Sequence, residues 1–314
     1  MKEYKMSIAD LFQKQSLPLA AKITMSLERI RQWYDYWDGG VSVSFSGGKD
    51  STVLLDLVRS IYPDVPAVFV DTGLEYPEIR EFVKSVPNVI IVRPEMNFKQ
   101  VIETYGYPVI SKDVALTADY ARKGSSWAKN RFQGVNEDGS PSRWSSTHYK
   151  HWAFLQDAPF KISAYCCNVM KKRPLKKWQQ KTGLKPYVGA LACESVQRTQ
   201  GWLKTGCNAY AGNNQHSMPL SFWLEEDVLA YIKENDLPIA KVYGDIVEDE
   251  NGHLITTGVS RTGCMFCAFG AHLEKSPNKF ERMKETHPER YDFCMRCEKG
   301  LDMDRVLSYL NIKH

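Results

Sequence analysis

A chain of 314 residues with net charge +4, 43% hydrophobic and 25% charged residues, 20 Gly and 15 Pro excludes a collagen-like, low-complexity or wholly disordered protein. No apolar run approaches the ~20 residues that a membrane-spanning helix needs, and Met1-Lys-Glu-Tyr-Lys-Met leads into no apolar signal region, so a cytoplasmic protein without a membrane partner is expected. Eight cysteines, six of them in three tight pairs, are too sparse for a disulfide scaffold and point to metal or redox chemistry.

Leu17 to Trp37 carries Leu27, Ile30, Trp33, Tyr34 and Trp37 at three- and four-residue spacing, which predicts an amphipathic helix closed by Asp38-Gly39-Gly40. Val41 to Phe45 alternates like a strand, a polar Gly loop follows, and Thr52 to Ile61 returns to helical spacing. The unit repeats: Ala67–Val70 precedes a helix over 78–86, and Val89–Val92 precedes one over 98–105. Strands alternating with helices predict an α/β fold, a doubly wound and mostly parallel sheet covered on both faces, with ligands at the carboxyl ends of the strands.

From about 111 to 161 the rhythm breaks into Gly, Ser, Asn and scattered aromatic residues, read as an insertion or lid. Lys112 to Lys185 holds 15 Lys and Arg against 5 Asp and Glu, an excess larger than the net charge of the whole chain. A polyanionic ligand or a solvated basic face accounts for it. Sheet character resumes over Pro186–Leu191, and Glu225–Asn235 reads as a helix. Glu248-Asp-Glu-Asn-Gly252 reads as a hairpin turn, before a Cys-rich end too small to hold a core without help. The expected organisation is a helical segment over 1–40, a nucleotide-binding α/β domain over 41–245 interrupted by the basic insertion, and a Cys-rich annex over 246–314.

The sharpest motif is Ser46-Gly47-Gly48-Lys49-Asp50-Ser51-Thr52, placed after a strand and opening a helix. Two glycines allow a tight turn and close backbone approach, amides at the helix start face an anion, and Ser46, Ser51 and Thr52 add hydroxyl donors. The spacing matches neither the nucleoside triphosphatase P-loop nor the dinucleotide Gly-x-Gly-x-x-Gly loop.

This heptapeptide resembles the pyrophosphate-binding loop of the adenine nucleotide alpha-hydrolase, or PP-loop, superfamily. Val70-Asp-Thr-Gly-Leu-Glu-Tyr-Pro-Glu78, Glu194-Ser195-Val-Gln-Arg198 and Pro219-Leu-Ser-Phe-Trp223 resemble successive elements of the phosphoadenosine phosphosulfate (PAPS) reductase family of that superfamily. The resemblance runs from about Val41 to Cys267. It implies an adenylyl nucleotide, ATP with Mg2+ or a relative, bound by Ser46 to Thr52 together with Asp71, Thr72, Gly73, Glu194 and Ser195. Lys49, Asp50 and Arg198 would be catalytic: Lys49 and Arg198 neutralise phosphate charge, and Glu194 orients Arg198 or a metal ion. Glu194 and Arg198 also satisfy the simpler description of an i,i+4 surface pair.

Cys166-Cys167 followed much later by Cys264-Met-Phe-Cys267 resembles the cluster ligands of iron-sulfur adenosine phosphosulfate (APS) reductases and implies a [4Fe-4S] cluster on those four thiolates. Zn2+ on Cys264, Cys267, Cys294 and Cys297 is the alternative, although 26 residues separate those pairs, longer than the usual ribbon. Reduced structural thiols are the third. Cys193 and Cys207 are expected to be small core residues.

Two departures matter. The reductases' C-terminal catalytic Cys has no counterpart in Val306-Leu-Ser-Tyr-Leu-Asn-Ile-Lys-His314, so Cys294 or Cys297 would have to replace it. The intact loop is the form found in members that expel pyrophosphate. Three functions follow: an ATP-using enzyme of iron-sulfur-assisted sulfur chemistry, a thiol-dependent APS or PAPS reductase releasing sulfite, or a non-catalytic nucleotide- or nucleic-acid-binding subunit with a structural metal. A nucleic acid on the insertion's Trp127, Phe132, Trp144, Tyr149 and Trp152, a sulfur-relay or thioredoxin-like partner, and a homo-oligomer are the partners considered.

Overall fold

A computed structural model describes residues 5–142 and 147–314, which form two compact units. The first is Met1–Asp71, Glu75–Arg93 and Pro174–Thr262; the second is Thr72–Leu74, Pro94–Arg173 and Gly263–His314. The basic insertion thus shares a unit with Gly263–His314, the part of the C-terminal region that holds its cysteines, and the N-terminal helical segment shares one with the sheet.

The first unit is built on six strands: β1 (Val41–Ser44), β2 (Ala67–Val70), β3 (Val89–Val92), β4 (Lys185–Val188), β5 (Asn208–Ala209) and β6 (His216–Ser217). Their order is β3-β2-β1-β4-β6-β5, and every pairing is parallel except that of β5 with β6. The α/β class with a mostly parallel sheet is therefore as the sequence predicts, and β2 and β3 have the predicted limits. In register, Val43 lies opposite Ala67 on one side and Tyr187 on the other. β1 is buried on both faces, which is why Val41 and Val43 come with a buried Ser42 between them rather than with an exposed polar residue.

Helix Leu19–Tyr36 buries Ile30 and Trp33 completely, and the buried Tyr187 hydroxyl donates to the Ile30 carbonyl at 2.7 Å. Helix Glu225–Glu234 places Val228, Tyr231 and Ile232 in the same core, and Tyr231 Oη donates to Asp56 Oδ2 at 2.6 Å on helix Lys49–Arg59. The predicted turn after Ile246–Glu248 is present: that strand pairs antiparallel with Leu254–Thr256, and Asp249 Oδ1 accepts the amides of Asn251 and His253.

In the second unit, the stretch with little apparent periodicity contains helices Lys112–Arg122 and Ser126–Gln133. The first is capped by Ser111 Oγ, which accepts the Val114 amide, and it buries Val114, Ala115, Ala118 and Ala121. An inner face made largely of alanine gives a weak hydrophobic signal, so the helix is hidden in the sequence. The C-terminal region finds its support here: Val109–Ile110 pairs parallel with Ala268–Phe269, and Tyr107 Oη donates to the Leu301 carbonyl at 3.0 Å. Among the described residues no helix is long and apolar enough to cross a membrane.

Candidate functional site: a phosphate loop and a cysteine cluster

Strand order in the first unit reverses direction between β1 and β4, the switch point at which open parallel sheets hold their ligands. Three predicted elements follow the carboxyl ends of adjacent strands: Ser46–Thr52 after β1, Asp71 after β2, and Glu194, Ser195 and Arg198 after β4.

The loop is tightly drawn. Gly47 has φ +72°, and a Cβ there would lie 2.8 Å from methyl carbons of Ile79 and Val83, so only glycine fits. Gly189 plays the complementary part from β4, where a Cβ would come within 3.0 Å of the Asp50 and Ser51 backbone. Ser46 Oγ and Ser51 Oγ are 3.0 Å apart, the Ser46 amide donates to Ser51 Oγ, and the Gly48 amide donates to Ser46 Oγ. Thr52 Oγ1 and Ser51 Oγ both donate to the Gly48 carbonyl. The hydroxyls expected to meet a phosphate are thus gathered at one point and bonded to each other and to the loop backbone.

Lys49 is 4% exposed. Its Nζ donates to Glu225 Oε1 and to the Ser260 carbonyl, each at 2.5 Å, and its amide donates to Tyr243 Oη at 3.2 Å. Tyr243 in turn shares a 2.7 Å hydrogen bond with Thr262 Oγ1, and burial pushes its phenol up. Arg198 pairs with Glu194, and Arg261 reaches Glu194 at 3.7 Å and Glu225 at 3.9 Å. Glu194 Oε2 also accepts the Leu191 amide at 2.9 Å, and Ser195 Oγ caps helix Val196–Thr205 by accepting the Arg198 amide. The i,i+4 pair of Glu194 and Arg198 is therefore part of a network that adjoins Lys49 through Arg261 and Glu225. Burial first, then Glu225, raises the Asp50 carboxyl, against Lys49, Arg261 and Arg198. Burial lowers Arg198, with Asp50 opposing.

Asp71 is held on one side only. Its Oδ2 accepts Arg80 and Arg93 at 3.2 and 3.3 Å, while its buried Oδ1 has no hydrogen-bond partner among the described residues. Thr72 and Gly73 belong to the second unit, where Thr72 Oγ1 accepts the Leu74 amide and the Leu74 carbonyl accepts the Met265 amide. Sequence reasoning missed Glu225, Tyr243, Arg261 and Thr262. Ser260-Arg-Thr-Gly263, directly before Cys264, holds two of them.

Cysteines occupy both units, and all eight are free. Cys207 is buried as expected, but Cys193 is exposed. This corrects its reading as a core residue: it lies in the turn Ala192–Glu194 outside the sheet, with burial raising its thiol and Arg261 lowering it.

The four expected cluster ligands all lie in the second unit. Cys166 is buried and Cys167, Cys264 and Cys267 are half-buried. Cys166 donates to Cys167 and is pushed up first by that bond and by burial, then by the charges of Cys167, Cys267 and Cys264. Cys167 is lowered to about 6, first by Cys166 and, against burial, by Lys112, Lys171 and Lys172. Burial raises Cys267 as well, so of these thiols Cys167 is the one that its surroundings favour as a thiolate; deprotonated, the four would be soft donors of the kind an iron-sulfur cluster takes. Among the described residues no three His, Cys, Asp or Glu form a group that could hold a metal ion. Cys294 is fully buried and pushed up to about 12 by burial, and Cys297 is exposed.

Among the described residues, the insertion's aromatic side chains form no exposed stacking platform. Phe132, Tyr149 and Trp152 are buried in the second unit, where apolar burial outweighs exposure. Trp127 is exposed, with the Arg131 guanidinium 5.3 Å from its ring, and Trp144 lies outside the described residues.

Comparison with known proteins adds the family. The phosphoadenosine phosphosulfate reductase domain model matches residues 40–123 and 128–269. An uncharacterized protein of Methanocaldococcus jannaschii is 24% identical over 96% of this chain and 59% of its own length. A second from that organism is 26% identical over 76% of this chain and 38% of its own length, so the chain spans less than two thirds of the length of these relatives. The adenosine 5'-phosphosulfate reductase of Staphylococcus epidermidis is 24% identical over 70% of this chain and 72% of its own. A solved phosphoadenylyl-sulfate reductase from Candida auris, in a phosphate complex, aligns with 79% of this chain and 98% of its own at 15% identity and TM-score 0.39.

Proposed function

The chain belongs to the phosphoadenosine phosphosulfate reductase family, and from that premise we propose that it is an enzyme of sulfur metabolism that binds ATP or a related adenylyl nucleotide at Ser46–Thr52 and transfers the adenylyl group with release of pyrophosphate. The observation that carries this reading is the intact loop: Gly47 and Gly48 open helix Lys49–Arg59 at the sheet's switch point, with Lys49, Arg198 and Arg261 in one charged network. A nucleophile attacks the α phosphorus, the bond from it to the bridging oxygen breaks, and pyrophosphate leaves with the electron pair. The loop hydroxyls and Lys49, exchanging protein oxygens for phosphate, stabilise that charge, and Arg198, after β4, and Arg261, after strand Leu254–Thr256, balance it. Mg2+, with Asp50 or Glu194 as its protein ligand, adds charge neutralisation when bound. A [4Fe-4S] cluster on Cys166, Cys167, Cys264 and Cys267 supplies redox and sulfur-handling capacity when bound.

The test is pyrophosphate release from ATP and Mg2+ by the anaerobically purified protein beside Lys49→Ala. Release by the native chain that the variant lacks supports the assignment. Equal release by both, or none by either, overturns it.

A second reading is supported by the likeness to APS reductases: thiolate attack on the sulfonate sulfur of APS, departure of AMP, and reduction of the resulting thiosulfonate by a thioredoxin-like dithiol to free sulfite. Full burial and a raised thiol make Cys294 a poor nucleophile. This reading therefore rests on the exposed Cys297, and it requires sulfite release that Cys297→Ser abolishes.

A further inference from the structure

A run of positive charge without interspersed acids lies outside the aromatic part of the insertion, and half of it is on one helix. Between Ala158 and Cys193 there are eight Lys and Arg and no Asp or Glu. Helix Arg173–Thr182 lies in that stretch and has no buried residue along its ten positions. Arg173, Lys176, Lys177 and Lys181 follow one another at three-, one- and four-residue steps, which gathers them on a single stripe, and all four are exposed. The stripe puts a cation on every turn, about 5.4 Å apart along the axis.

We propose that this stripe binds the phosphate backbone of a nucleic acid, without regard to base sequence. A polyanion with regularly repeated charges matches one cation per turn, and each neutralised phosphate releases condensed counterions. The helix offers little to other anionic partners. A protein interface needs an apolar or aromatic centre, and a membrane-surface helix needs an exposed apolar face. Here the apolar Leu175 and Trp178 are only partly accessible, and neither is among the exposed large hydrophobic residues. The inference is independent of the adenylyl-transfer reading, because binding is measured without nucleotide turnover.

The experiment is fluorescence anisotropy of a labelled 30-nucleotide RNA and a DNA duplex with the full-length protein, across a salt series. Four phosphate contacts give a log–log salt slope of about −3 to −4 and a loss of roughly 50- to 150-fold between about 50 and 200 mM salt. The triple variant Lys176→Gln, Lys177→Gln, Lys181→Gln should bind at least about tenfold more weakly at low salt, with its slope reduced to about −1. Retained melting temperature and far-ultraviolet circular dichroism in the variant exclude misfolding as the cause. Unchanged binding by the variant, a slope near zero, or displacement of the RNA by less poly-glutamate than competitor RNA, counted by charge, overturns the proposal.

Discussion

Lys49 Nζ lies 2.5 Å from Glu225 Oε1, a residue 176 positions later in the chain. The cation of the phosphate loop is thereby stored on protein oxygens, with Glu225 and the Ser260 carbonyl standing where a ligand's phosphate oxygens would compete. Lys49→Ala should lower turnover by about 100- to 1000-fold, the usual cost of removing a group aimed at transition-state charge. Glu225→Gln should act in the opposite direction on binding, tightening nucleotide affinity because Lys49 no longer leaves an anion to meet a phosphate. Isothermal titration of both variants checks this pair of signs, and weaker binding by Glu225→Gln would instead make Glu225 a ligand-side group.

Asp50, the next residue, gives a pH dependence. Burial holds its carboxyl above the ordinary range, with Lys49 opposing and Glu225 adding to the rise. The folded chain therefore holds this proton more tightly than the unfolded one. The corresponding stability is fully present below the unfolded carboxyl's value of about 3.9 and is lost as pH rises through the higher folded value. Asp50→Asn has no such proton to lose. Its melting temperature should gain on that of the native protein from about pH 4 upward and then run parallel to it. A constant difference across that range would mean that Asp50 titrates as an ordinary carboxylate.

The loop, the parallel strands and Glu194 with Arg198 were legible because each is a local pattern: a Gly pair after an apolar strand, short β-branched runs, an i,i+4 spacing. Glu225, Tyr243 and Thr262 were not legible. They come from separate elements and contribute through one oxygen each, which no spacing encodes. Helix Lys112–Arg122 was hidden by its alanine face, and the exposure of Cys193 is set by a turn whose position depends on β4 and on the Ala192 amide bonding to the Ser221 carbonyl.

A buried ion pair fixes the start of helix Glu225–Glu234. Lys22 is 2% exposed and reaches Asp227 at 2.6 Å, while Asp227 Oδ2 also accepts the Leu224 amide at the helix start. Removing only the acid leaves a desolvated ammonium and an unpaired amide. Asp227→Ala should cost about 3–5 kcal/mol in urea unfolding. The double variant Lys22→Met, Asp227→Asn should recover much of that loss, because asparagine still caps the amide and no charge remains buried. Failure of the double variant to recover stability would mean that the ion pair is itself net stabilising, and that the cost is not that of an orphaned ammonium.

The cysteines make the last prediction. Cys166, Cys167, Cys264 and Cys267 form an electrostatically linked set in the second unit, whereas Cys294 is sealed in its core. Anaerobic purification should yield a brown protein containing iron and acid-labile sulfide, with a broad visible absorption band. Cys264→Ser should lose iron and destabilise the second unit, since metal binding supplies folding free energy. Cys294→Ala should keep full iron content while losing stability through the cavity it leaves. Chelation of the native protein should bleach the colour and lower the melting temperature together. If Cys294→Ala loses metal as completely as Cys264→Ser, and the metal proves to be zinc, the ligand set moves to the two Cys-x-x-Cys pairs and the metal becomes structural.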